Sequence, residues 1–184
     1  MTYKLLMIFR LTLSNFKFFF IRVMYGTSLS AKFPLLADEM PYITIKGAGF
    51  IHLSNARFRS GVRCIADGGR ISFGNNCFIN SGCSFNSLAS IEIGDNVLFG
   101  EGVRIYDHNH LIDGNLTVKR NQFSTNSVRI GSGCWIGSNV VILSGVAICP
   151  NSIIGAGCIV TRDILSPGIY INKANADLTN ISLN

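Results

Sequence analysis

The segment Arg104–Asp113 reads RIYDHNHLID and holds two of the chain's three histidines, His108 and His110, beside Asp107. An imidazole is well suited to take a proton from a weak acid near neutral pH. The same residue types also ligate metals or simply decorate a polar turn. Which chemistry applies depends on the elements that hold the segment.

Those elements show themselves as a repeat. From Ile130 the chain reads IGSGCW IGSNVV ILSGVA ICPNSI IGAGCI VTRDIL, with an aliphatic residue every six positions at Ile130, Ile136, Ile142, Ile148, Ile154 and Val160. Four positions after each come Cys134, Val140, Val146, Ser152, Cys158 and Ile164. The rhythm appears upstream at Phe73, Ile79 and Phe85 and, after a two-residue shift, at Ile93, Phe99 and Ile105. Self-similarity at a fixed period is the signature of a solenoid. Each hexad reads as one short strand and a turn. The aliphatic residue points inward, a small residue fills the corner, and Gly, Asn, Asp or Ser makes the turn. Three hexads close a triangular coil, and coils stack through their backbones.

The cysteines follow the same pattern. Cys77, Cys83, Cys134 and Cys158 occupy the small inward position, where a free thiol behaves as a compact hydrophobe. No CxxC pair and no secretory signal are present, so the six cysteines read as reduced thiols in a cytosolic protein.

Charged residues make up only 14% of the chain, against about 25% in typical domains. From Val128 to Thr161 the only charged residue is Arg129. A wall that poor in charge is expected to face neighbouring subunits. The net charge of +6 points to anionic partners. Lys and Arg are not clustered with interleaved aromatics, which argues against nucleic acid.

The N-terminus, MTYKLLMIFRLTLSNFKFFFIRVMYG, is apolar but interrupted by Lys4, Arg10, Lys17 and Arg22, so it cannot span a bilayer. It also lacks a cleavage site. On a helical wheel those four residues share less than half the circumference with Ser14 and Asn15. Ile8, Phe9, Phe16, Phe19, Phe20 and Val23 lie opposite. Such a helix lies on an anionic membrane surface or packs on the domain or at an oligomer interface. The first case would make a cytoplasmic protein peripheral at the inner face of the plasma membrane. The expected plan is a helix and connector over 1–40, a repeat domain over 41–165 and a tail over 166–184. Within the repeat domain, 43–70 form irregular first coils and 108–127 an extruded loop.

The hexads, the interrupting loop and the segment GSGCWIGSNVVILSGV…IIGAGCIVTRDI resemble the hexapeptide-repeat acyltransferases over residues 70–165. The nearest type is the galactoside and maltose acetyltransferases, with relatives that O-acetylate capsule or lipopolysaccharide sugars. The resemblance implies an all-β, left-handed parallel β-helix, a homotrimer, and acetyl-CoA bound between adjacent subunits, with no metal. It implies a loop histidine that deprotonates the acceptor hydroxyl. Counting from IGDNVLFGEGVRI puts that role on His110, with Asn80 of CFINSGC stabilising the oxyanion. Asp107 is then expected either to orient an imidazole or to bind acceptor hydroxyls, and His108 beside it to support the site or meet the acceptor. Gly100, Trp135, Ser138, Ala156, Thr161 and Arg162 match positions that line the acetyl-CoA cleft. Leu88 stands near the position of an acidic acceptor-binding residue, which argues against a simple galactoside or maltose. Lys173 stands where the family tail commonly has proline.

The activity this implies is acetyl-CoA-dependent O-acetylation of a sugar of a bacterial surface polysaccharide or its precursor. An amino-sugar N-acetyltransferase would use the same His110. A serine acetyltransferase usually carries a longer helical N-terminal domain. A non-catalytic scaffold would not need an intact His110 and Asn80. A metal enzyme of the γ-carbonic anhydrase type would need His52, His108 and His110 together. Against that, His52 is expected several coils away, and the two loop histidines are expected to point to opposite sides.

Overall fold

Coils of a parallel β-solenoid build the molecule, as shown by a computed structural model that describes residues 2–32 and 34–172. Three sheets of six, seven and six parallel strands form the faces of a prism. The first face stacks Leu29–Ser30, Phe50–His52, Arg70–Phe73, Ser90–Ile93, Val128–Ile130 and Ala147–Ile148. The second runs from Leu36–Ala37 through Arg57–Phe58, Phe78–Ile79, Leu98–Phe99, Trp135–Ile136 and Ile153–Ile154 to Ile169–Tyr170. The third runs from Tyr42–Lys46 through Arg63–Asp67, Ser84–Ser87, Arg104–Tyr106 and Val141–Ile142 to Ile159–Val160.

The hexad aliphatics fill the interior, from Phe73 and Ile79 to Ile154 and Val160. Phe58, Phe73, Phe85 and Phe99 stack edge to face along the axis, with centroids 5.4, 4.9 and 5.5 Å apart. Inward thiols do more than fill corners. Cys77 Sγ donates to the Gly94 carbonyl at 3.1 Å, and Cys83 Sγ to that of Gly100 at 3.2 Å. All six cysteines are unbridged. Turns use left-handed residues: Asn76, Asn96, Asn139 and Asn151 have φ near +58° (56, 58, 58 and 60°).

The coils begin earlier than the hexad rhythm. Residues 43–70 were expected to be irregular, yet Tyr42–Lys46 pairs with Arg63–Asp67 over five consecutive residues. The first coil starts at Leu29, inside the segment expected to be connector. The reason is that backbone pairing with the next coil holds these end strands in register, so a strict side-chain period is dispensable there.

The helix Thr2–Tyr25 lies across this first coil. Asn15 grips Leu35 in both directions: its Nδ2 donates to the Leu35 carbonyl at 3.1 Å, and its Oδ1 accepts from the Leu35 N–H at 2.9 Å. Tyr25 Oη donates to the Ile43 carbonyl at 3.4 Å, and Phe18 is fully buried. A solenoid end without such a cover would leave strand edges open.

Candidate active site

Where the strand Arg104–Tyr106 ends, the chain leaves the prism. Residues His108–Ile112 and Val118–Thr125 form an antiparallel hairpin, and the coil resumes at Val128. Its tip closes around Asp113, whose Oδ1 accepts from the N–H groups of Asn115 and Thr117 at 3.0 Å each. Lys119 Nζ pairs with the same carboxylate at 2.9 Å. The hairpin register breaks between His110, opposite Phe123, and Leu111, opposite Lys119. A break of this kind re-aims the side chains beside it.

His110 is exposed at this break. Its Nδ1 lies 3.3 Å from the Lys119 backbone carbonyl, and its ring is tilted against Phe123 at 4.6 Å between centroids. His108 sits on the same side of the strand, edge-on to Phe123 at 5.4 Å. The expectation that the two rings diverge is therefore corrected: alternate residues of a strand share a face.

Of the two parts expected of Asp107, the geometry fits the orienting one and not the acceptor one. Asp107 is fully buried at the base of the hairpin and accepts from Ser87 Oγ at 2.7 Å and from the N–H groups of Leu88 and Ala89 at 2.8 Å each. His108 Nδ1 lies 3.0 Å from its Oδ1. A carboxylate so enclosed cannot reach an acceptor hydroxyl. It instead ties the hairpin base to the coil below and orients the His108 ring. Ser144 Oγ and the Asn126 N–H, both at 2.8 Å, bind the Asp107 carbonyl and complete the anchor.

The remaining expected residues sort onto two edges of the prism. Asn80, Gly100, Ser138 and Ala156 follow strands of the second face, in successive coils. Gly100 is packed so closely that a Cβ there would sit 2.5 Å from the Ser138 nitrogen. Asn80 Oδ1 accepts from the Ser81 N–H at 2.9 Å, which leaves its NH₂ group as the donor end. Trp135, on the second face beside this edge, is 53% exposed. Asp107, His108, His110, Thr161 and Arg162 follow strands of the third face and so belong to the next edge. Thr161 and Arg162 line an open pocket at the end of the prism, with Tyr170 and Asn172. Lys173 lies outside the described residues.

His52 is elsewhere, on the first face of the second coil, with its Nδ1 2.7 Å from Ser30 Oγ. Burial, with a contribution from Lys32, holds it below the ordinary histidine range. Among the described residues, no three of His, Cys, Asp and Glu are grouped to hold a metal ion.

Sequence reasoning missed Lys119 and Phe123. Neither carries a motif, because the hairpin register that brings them to His110 is set across the turn and not along the repeat. It also missed Ser87, whose hydroxyl helps hold Asp107.

Residues 127–162 match the family model described as bacterial transferase hexapeptide, six repeats. Over 97 residues the chain is 39% identical to the galactoside O-acetyltransferase of Escherichia coli K12, covering 53% of this chain and 47% of that enzyme. The chain spans about half the length of the curated relatives it matches. A maltose O-acetyltransferase from Clostridium difficile 630 superposes with a TM-score of 0.52 at 29% identity, over 78% of this chain and 62% of that one. A galactoside acetyltransferase in complex with coenzyme A superposes with a TM-score of 0.55 at 26% identity, over 79% of this chain and 60% of that one.

Proposed function

We propose that this hexapeptide-repeat chain is an acetyl-CoA-dependent O-acetyltransferase, with His110 as general base and a sugar of a surface polysaccharide or its precursor as acceptor. The observation that carries the reading is the contact between His110 Nδ1 and the Lys119 carbonyl. A carbonyl only accepts, so this contact favours, for a neutral ring, the tautomer with its proton on Nδ1 and its lone pair on Nε2. The register break and the Phe123 ring hold the imidazole in that pose.

In the proposed reaction Nε2 removes the proton of the acceptor hydroxyl as its oxygen attacks the thioester carbonyl of acetyl-CoA. The C–S bond then breaks, the coenzyme leaves as thiolate, and the imidazolium returns the proton to sulfur. The products are an acetyl ester and the free thiol. The Asn80 NH₂ group is the proposed donor to the tetrahedral oxyanion. Gly100, Ser138, Ala156 and Trp135 would line the path of the pantetheine arm, and Thr161 and Arg162 would meet the nucleotide end. His108, held by Asp107, would position the acceptor. The sugar acceptor is supported by the galactoside and maltose enzymes the chain resembles.

The two residue sets occupy different edges of one prism. A site that uses both is therefore proposed to form between copies in a homotrimer, where the hairpin of one subunit meets the second-face edge of the next.

The test is thermal unfolding with acetyl-CoA, followed by thiol release with a panel of sugar and amino-sugar acceptors. Ligand at a hundredfold excess over its dissociation constant stabilises the fold by about 2.7 kcal/mol. His110→Asn is expected to keep that shift and lose turnover by about 10²–10⁴-fold. Full activity in His110→Asn together with a dead His108→Asn would move the base to His108. No shift at millimolar acetyl-CoA would sink the acyltransfer reading, and turnover confined to amino sugars would replace O- by N-acetylation.

A further inference from the structure

The helix Thr2–Tyr25 docks with the wrong side for a simple amphipathic cover. Its packed face carries Leu11, Ser14, Asn15, Phe18, Ile21 and Tyr25, the middle of its polar half. The opposite face, centred on Leu5, Phe9, Leu13, Phe16, Phe20 and Val23, is left outside. Leu5 is 71% exposed, Phe9 63% and Phe16 61%. Phe16 and Phe20 stack edge to face at 4.8 Å, so the stripe is continuous. Soluble surfaces rarely carry such a patch without a partner.

Charge identifies the partner. Arg10 and Lys17 flank the packed face, Lys4 and Arg22 share its sector toward the two ends of the helix, and no acidic residue occurs before Asp38. Beneath the helix a cleft of about 260 Å³ brings Arg10 together with Arg57 and Arg59. Asp38 is their near carboxylate, 3.0 Å from Arg59 and 4.0 Å from Arg57, so positive charge remains in excess. A second copy seated on the stripe would bring two basic helices together with no carboxylate on either. No helix among the described residues is long and apolar enough to cross a membrane.

We infer that this helix is an in-plane anchor for an anionic phospholipid surface, with the aromatic stripe inserted among acyl chains and Arg10, Lys17 and the basic cleft at the phosphate level. Long basic side chains at the edges of such a helix reach the headgroups while their stems stay apolar. The inference stands on the helix and its docking, and does not depend on acyl transfer.

The experiment is flotation of the full chain with vesicles of phosphatidylcholine alone or mixed with phosphatidylglycerol, with gel filtration and melting curves in parallel. The wild type should float with the anionic vesicles, much less with the zwitterionic ones, and less at high salt. Arg10→Gln and Lys17→Gln should each weaken partitioning about fivefold. The triple variant Phe9→Ser, Phe16→Ser, Phe20→Ser changes only exposed side chains, so it should melt like the wild type and stay with the pellet. Wild-type protein that ignores anionic vesicles overturns the inference, as does a triple variant that still floats. A triple variant that instead loses oligomer mass, in a protein that never floats, would make the stripe a contact between copies.

Discussion

At the scale of single residues, environment decides what each side chain can do. Asp107 and Asp113 are both carboxylates near the two loop histidines, yet one is sealed into the coil and the other holds the hairpin tip. The thiols make the same point. Burial pushes Cys64 and Cys77 up, and Cys83 up to about 11, away from the reactive thiolate. Cys149 is half-buried and faces Ser152 Oγ at 3.2 Å. We expect a thiol reagent at pH 8 to label Cys149 first and the other five only as denaturant unfolds the chain, which peptide mapping of the labelled sites would check. Early labelling of Cys83 would mean that the coils open locally.

At the scale of elements, the hairpin and the coils impose different tolerances. Coils approach so closely at the turns that Gly100 has no room for a side chain, because its obstruction is the Ser138 backbone. Gly100→Ala should cost about 1–3 kcal/mol, read as a lower melting temperature whether or not acetyl-CoA is present. A variant that melts normally but loses the acetyl-CoA shift would assign Gly100 to binding alone. The hairpin shows how a site is legible in part. His110 stands out because it interrupts a rhythm, whereas Lys119 contributes only a carbonyl that any residue could supply.

At the scale of the molecule, the prism separates Asn80 from the hairpin by placing them after strands of different faces. If the proposed site forms between copies, two separately inactive variants can rescue one another. Co-refolded His110→Asn and Asn80→Ala should regain about a quarter of wild-type turnover on random mixing, since some interfaces then carry both intact residues. Absence of any recovery in mixed trimers would mean that one chain holds the whole site.

What the sequence determined alone was the solenoid from Phe73 onward, its inward aliphatics and thiols, the extruded segment and the helix at the start. These follow from periodicity, which is local and survives without knowledge of partners. Tertiary structure alone decided that coils begin at Leu29, that Asp107 is buried, that Lys119 and Phe123 frame His110, and that the helix docks by its polar side. Each of these depends on a contact between residues far apart in the chain, where backbone pairing and a few hydrogen bonds outweigh the local pattern. Asn15 shows it most simply: two hydrogen bonds to Leu35 set which face of a largely apolar helix is hidden and which is left for a partner.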